Sequence, residues 1–84
     1  MNSKVTIIGA GNVGATIAYA LTLREIAAEI VLIDINRDKA DGEAMDISQG
    51  AAFISSTKIH SGDYPDAFGS SLVIITEVVY GKIF

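Results

Sequence analysis

At 84 residues, half of them hydrophobic, the chain suffices for one small domain and is too apolar to be disordered by composition. Its formal net charge of −4 argues against a nucleic-acid backbone as partner, and no apolar run approaches the ~20 residues that a membrane span requires. With no cysteine there are no disulfides, thiolate chemistry or cysteine-held metals; with no apolar signal segment after Met-Asn-Ser-Lys, cytoplasmic residence is the expectation.

Val5, Thr6, Ile7 and Ile8 are strand formers, apolar toward both faces, as a parallel strand buried from two sides requires. Gly9, Gly11 and Gly14 follow at the G-x-G-x-x-G spacing, which is informative because it lies between a buried strand and a helix. In that setting Gly9 lets the chain turn sharply off the strand. Gly11 leaves room for backbone to approach a pyrophosphate, and Gly14 lets the helix pack close to the strand. The unpaired N–H groups of the helix's first turn, aided by its dipole, would hold the phosphates.

Asn12 to about Glu25 reads as that helix, with Val13, Ile17, Ala20 and Leu21 as its apolar stripe and Tyr19 as a core or boundary residue. Glu29 to Ile35 is the second buried strand. Its Asp34 lies 20 positions after Gly14, where an acid can accept hydrogen bonds from ribose hydroxyls and repel a 2′-phosphate, favouring NAD over NADP. Standing alone, Asp34 would read as a turn or capping residue; the glycine motif and intervening helix favour the ribose role.

Asn36 caps a second helix running to roughly Gln49, with Ala40, Ala44 and Ile47 as its apolar line, Met45 beside it, and its charges forming a solvated face. Gly42 within it costs up to ~1 kcal/mol relative to alanine, which close packing against a neighbour would offset. Gly50 to Ser56 reads as an irregular connection with Phe53 and Ile54 tucked into the core. Thr57 to Ser61 is a weaker strand, Gly62 to Asp66 a loop, Asp66 to Ser71 a short helical turn, and Leu72 to Thr76 a fourth apolar strand. The expected fold class is α/β: a partial, Rossmann-like domain, β-α-β-α-β-β, whose right-handed crossovers give a parallel sheet of order 3-2-1-4.

Three stretches carry a resemblance: KVTIIGAGNVGATIAYAL, then EIVLIDINRDKADGEAMDISQG, then the segment ending LVIIT. Through them the chain resembles the N-terminal cofactor-binding region of the lactate/malate dehydrogenase family, most closely bacterial L-lactate dehydrogenases. GEAMDI is more telling than the glycines, which many dinucleotide folds share. The resemblance implies NAD as cofactor, bound by Gly9, Gly11, Asn12, Val13 and Gly14, by Asp34 at the ribose, by Lys39 near the adenosine end and by Tyr64 beside the adenine. Residues alone would have made Lys39 a surface charge and Tyr64 a loop aromatic.

The pattern departs after Thr76. A dinucleotide-binding half-domain is therefore expected over 1–76 and a strand-prone tail over 77–84, with Val78 crowding a position where the family has glycine. The family's catalytic histidine, its partner aspartate and its substrate arginines have no counterpart here, so no catalytic residue is assigned. His60, the sole histidine, reads as a surface strand residue on the adenosine side. Three expectations follow: a truncated dehydrogenase domain binding NAD or its ADP portion, inactive alone; a folded fragment with no physiological ligand; or an assembly module. In the last, the open fourth-strand edge and tail join copies into a homo-oligomer. No nucleic acid, membrane or metal is expected as a partner.

Overall fold

The computed structural model describes residues 3–76. Four short strands, β1 (Lys4–Ile8), β2 (Glu29–Ile33), β3 (Lys58–Ser61) and β4 (Leu72–Ile75), form one sheet in the order β3-β2-β1-β4. All pairings are parallel, Ile7 lying opposite Leu32 on one side and Ile74 on the other. The 3-2-1-4 order is therefore as expected. Two helices, α1 (Asn12–Leu23) and α2 (Arg37–Ala51), form the crossovers, and a short 3₁₀ turn, η1 (Tyr64–Ala67), precedes β4. Both crossovers step in the same direction across the sheet, so a single hand puts both helices on one face, where they pack against each other.

Period-two alternation sorts the central strands. Val5 and Ile7, with Ile30, Leu32 and Ile59 of the neighbouring strands, meet Ala18, Ala40, Ala44 and Ile47 in the main core beneath the helices. Thr6 and Val31 point the other way yet are also fully buried. The Thr6 hydroxyl forms a 2.6 Å hydrogen bond with Ser70 Oγ, which donates in turn to the Ala67 carbonyl at 2.7 Å. This places the connection from η1 to β4 over that face and satisfies a buried hydroxyl that would otherwise be costly.

Several local expectations are corrected. α1 buries Gly14, Ala18 and Thr22, with Ile17 and Leu21 only partly covered, whereas Val13 is 62 % exposed and Ala20 lies outward. Small residues let the helix approach the sheet, and the buried Thr22 hydroxyl donates to the Ala18 carbonyl at 2.7 Å. Phe53 is 100 % exposed and Ile54 largely so, because α2 extends to Ala51 and the turn after it projects outward. A Cβ on Gly42 would meet nothing within 4 Å, so no neighbour compensates its cost in the helix. β2 ends at Ile33, leaving Ile35 exposed, and η1 begins at Tyr64 within the expected loop.

Tyr19 borders a shallow groove between α1 and α2. β4 is as apolar as β1 but, among the described residues, stands at the sheet edge, with Leu72, Val73 and Ile75 exposed. The tail 77–84, and the crowding expected from Val78, lie outside the described residues. Among the described residues no helix is long and apolar enough to cross a membrane.

Candidate dinucleotide site at the C-terminal ends of the strands

In an open parallel sheet the crevice beyond the carboxyl ends of the strands is where ligands bind. Here that end carries the glycine turn, the loop after β2 and the loop after β3. Gly9 adopts φ +119°, a conformation that side-chain-bearing residues rarely take, while its N–H donates to the Ile33 carbonyl at 2.7 Å. Strand pairing thus continues one residue beyond β1 before the chain reverses. A Cβ on Gly14 would stand 1.7 Å from the Gly9 carbonyl oxygen. Only glycine lets α1 seat its first turn against the strand end.

Gly11 occupies the N-cap position in extended conformation, with no side-chain cap, and the first helical bond runs from Ala15 N–H to its carbonyl at 2.9 Å. A Cβ there would meet nothing within 4 Å, so space lies open above the turn. Helix geometry leaves the N–H groups of the first turn without intrahelical acceptors, and here no acidic side chain occupies them. That is the electrostatic arrangement a phosphate needs. Thr76 Oγ1, at the end of β4, lies 3.2 Å from the Gly9 carbonyl and braces the turn from beneath.

Asp34 fulfils its turn role directly. Its carboxylate accepts from Ala10 N–H at 2.6 Å and from Asn36 N–H at 2.8 Å, tying the loop after β2 to the glycine turn. Asn36 caps α2 as expected, its Oδ1 accepting from Lys39 N–H at 3.2 Å. Lys39 is exposed on the first turn of that helix, and Tyr64, 56 % exposed, opens η1. The structure therefore brings Gly9, Gly11, Asn12, Val13, Gly14 and Asp34 together, with Lys39 and Tyr64 on the flanking segments.

One charged group escaped the sequence reading. Arg37, assigned there to a solvated face, donates through Nη1 to Asp63 Oδ1 at 2.7 Å and through Nε to Asp41 Oδ1 at 3.1 Å. The Arg37/Asp41 half was legible as an i,i+4 pair. Asp63 is brought in by the parallel pairing of β3 with β2.

His60 lies on edge strand β3, as expected, with Nε2 at 2.6 Å from Glu29 Oε2 and Nδ1 at 3.0 Å from the Ser61 carbonyl. Partial burial pulls its pKa down, but the Glu29 and Ser61 hydrogen bonds and the Glu29 and Asp66 charges together carry it above the ordinary histidine value. Both ring nitrogens face acceptors, which suits an imidazolium and not a proton-transfer partner for a bound carbonyl. A concavity of about 550 Å³, lined by Ala51, Ser55, Thr57 and His60 among others, lies between the end of α2 and the start of β3. It is away from the glycine turn and offers hydroxyls rather than phosphate-binding N–H groups; the turn itself is an open cradle. Among the described residues no cluster of His, Asp and Glu could hold a metal ion.

Comparison with known proteins agrees with this geometry. The family described as lactate/malate dehydrogenase, NAD binding domain, matches residues 3–82. The chain is 57 % identical over 81 residues to an L-lactate dehydrogenase of Clostridium botulinum, covering 96 % of this chain and 26 % of that enzyme. Among solved structures, a lactate dehydrogenase from a Medee basin deep-sea metagenome library superposes with TM-score 0.88 at 45 % identity, over 96 % of this chain and 26 % of that one. The lactate dehydrogenase of Cryptosporidium parvum, solved with lactic acid and β-nicotinamide adenine dinucleotide, gives 0.87 at 34 % identity over the same shares. The chain thus spans about a quarter of the length of these relatives. It belongs to the lactate/malate dehydrogenase family, its residues 3–82 matching that family's NAD-binding domain.

Proposed function

We propose that this chain binds NAD chiefly through its ADP portion, the pyrophosphate on the first turn of α1 and the adenosine ribose on Asp34. The observation that carries this reading is the 2.6 Å bond from Ala10 N–H to Asp34 Oδ2, which ties Asp34 to the glycine turn ahead of α1. The open space over Gly11 fits a pyrophosphate approaching backbone. Asn12, Val13 and Gly14 supply N–H groups, Lys39 supplies positive charge near the adenosine, and Tyr64 supplies an aromatic face for adenine. When bound, NAD supplies a hydride acceptor; this chain's own residues bind and orient its adenosine half.

Interconversion of 2-hydroxy and 2-oxo acids, lactate or malate among them, belongs in this reading to the longer enzymes of the family, and the residues of this chain are given binding roles alone. Calorimetry tests the assignment: NAD, NADH and ADP bind with similar, weak affinity and NADP more weakly. A strong preference for NADH over ADP, or NADP binding as well as NAD, overturns it.

A second reading concerns assembly. Exposed Leu72, Val73 and Ile75 on edge strand β4 favour pairing with a second copy, the half-domain of 1–76 meeting its partner along that edge. Sedimentation is then expected to give a homo-oligomer, and a clean monomer at high concentration refutes it. The lack of cysteine is consistent with the reducing cytoplasm as the site of action.

A further inference from the structure

We propose that Asp63, together with Asp41, sets the choice between NAD and NADP by occupying Arg37, the guanidinium that would otherwise receive a 2′-phosphate. The inference rests on the proposed adenosine end of the site and adds specificity-determining residues to Asp34.

In dinucleotide-binding folds the acid after the second strand accepts the ribose hydroxyls, and an arginine close by accommodates the extra phosphate where NADP is used. Arg37 is in that neighbourhood: three positions after Asp34, at the first residue of α2, next to Asn36, whose N–H donates to Asp34. A guanidinium fork matches phosphate geometry, so a free Arg37 would counter the repulsion from Asp34. Here the fork is engaged on two sides, by Asp63 Oδ1 at 2.7 Å and Asp41 Oδ1 at 3.1 Å.

The Asp41 carboxylate is itself oriented by the Ser61 hydroxyl. That bond first, and the Arg37 bond second, hold Asp41 below the ordinary carboxylate range, so it stays charged at neutral pH. The clamp joins separate segments: α2 contributes Arg37 and Asp41, β3 contributes Ser61, and the loop into η1 contributes Asp63. Selection against the 2′-phosphate is therefore double, a carboxylate that repels it and a cation that is already partnered.

Arg37 and Asp41 are about half exposed and Asp63 is 70 % exposed, so each pair is of modest strength and its release has a modest, measurable effect. Calorimetric titration with NAD and NADP of the wild type, Asp34→Ser, Asp63→Ala, Asp34→Ser/Asp63→Ala and Asp34→Ser/Asp63→Ala/Arg37→Ala tests it, with circular dichroism verifying each fold. Asp63→Ala alone leaves NAD binding within about twofold and NADP still weak, since Asp34 remains; the double variant binds NADP about fivefold more tightly than Asp34→Ser alone. Adding Arg37→Ala erases that gain. The proposal fails if the double variant gains nothing over Asp34→Ser, or if the gain survives Arg37→Ala, which would assign it to lost negative charge or to Lys39. A wild type that binds neither dinucleotide removes the site reading as well; one that binds NAD with no Arg37-dependent gain removes the clamp alone.

Discussion

Replacing Gly14 by alanine sets two effects of known size against each other. Gly14 lies within α1, where alanine is intrinsically favoured by about 1 kcal/mol. Against this, the new Cβ would sit 1.7 Å from the Gly9 carbonyl oxygen and 2.8 Å from its carbon, both closer than the 3.0 Å below which real Cβ contacts are essentially never found. The obstacle is backbone, and no rotamer change relieves it, so α1 must move away from the end of β1. Overpacking of this kind costs ~1–3 kcal/mol, and a rigid obstacle belongs at the upper end. The net expectation is a loss of about 2 kcal/mol, or roughly 8–16 °C in melting temperature for a domain this small. ADP affinity should fall too, because the N–H groups move with the helix. Gly42→Ala is the matched control: it also lies within a helix, but its Cβ meets nothing within 4 Å, so it should raise the melting temperature by about 4–8 °C. Thermal melts by circular dichroism, with ADP titration at 25 °C, read both. Gly14→Ala melting at or above wild type with unchanged ADP affinity would refute the close-approach argument.

Asp34→Asn keeps the shape but gives the Ala10 and Asn36 N–H groups a single acceptor oxygen, so urea unfolding should show a loss of about 1–3 kcal/mol as well as weaker NAD binding. His60 has its folded-state pKa raised by Glu29 and the Ser61 carbonyl despite partial burial, so its stabilisation is full below the unfolded value near ~6.5 and fades as pH rises through the folded value. Because the pair is half exposed, stability should fall by under about 1 kcal/mol between pH 6 and pH 8, and Glu29→Gln should flatten the profile; an unchanged slope in that variant counts against the pair. Lys4 Nζ donates to the carbonyls of Asp66 and Phe68 at 2.8 and 2.7 Å, so Lys4→Met should loosen η1 and speed proteolysis there. Under the proposed pairing along β4, Val73→Lys should shift sedimentation toward monomer, since a lysine on an edge strand opposes edge-to-edge pairing.

The sequence by itself determined the order of elements, the 3-2-1-4 sheet and the glycine turn. The sheet order follows from the hand of the crossovers, and the rest from local chemistry: β-branched runs make strands, Asn36 caps a helix, and only glycine fits where φ is +119° or where a Cβ would strike a carbonyl. Asp34 was legible through its spacing, but its bonds to Ala10 and Asn36 were not, since they require two loops to converge in space. Which apolar residues are covered was decided only by tertiary structure. Val13 and Phe53 look like core residues in a linear pattern and are exposed, while Thr22 looks polar and is buried, because the sheet and its connections set who has a neighbour. The Arg37 clamp belongs to the same class: Asp63 lies 26 positions away in sequence, and the parallel pairing of β3 with β2 brings it to the guanidinium.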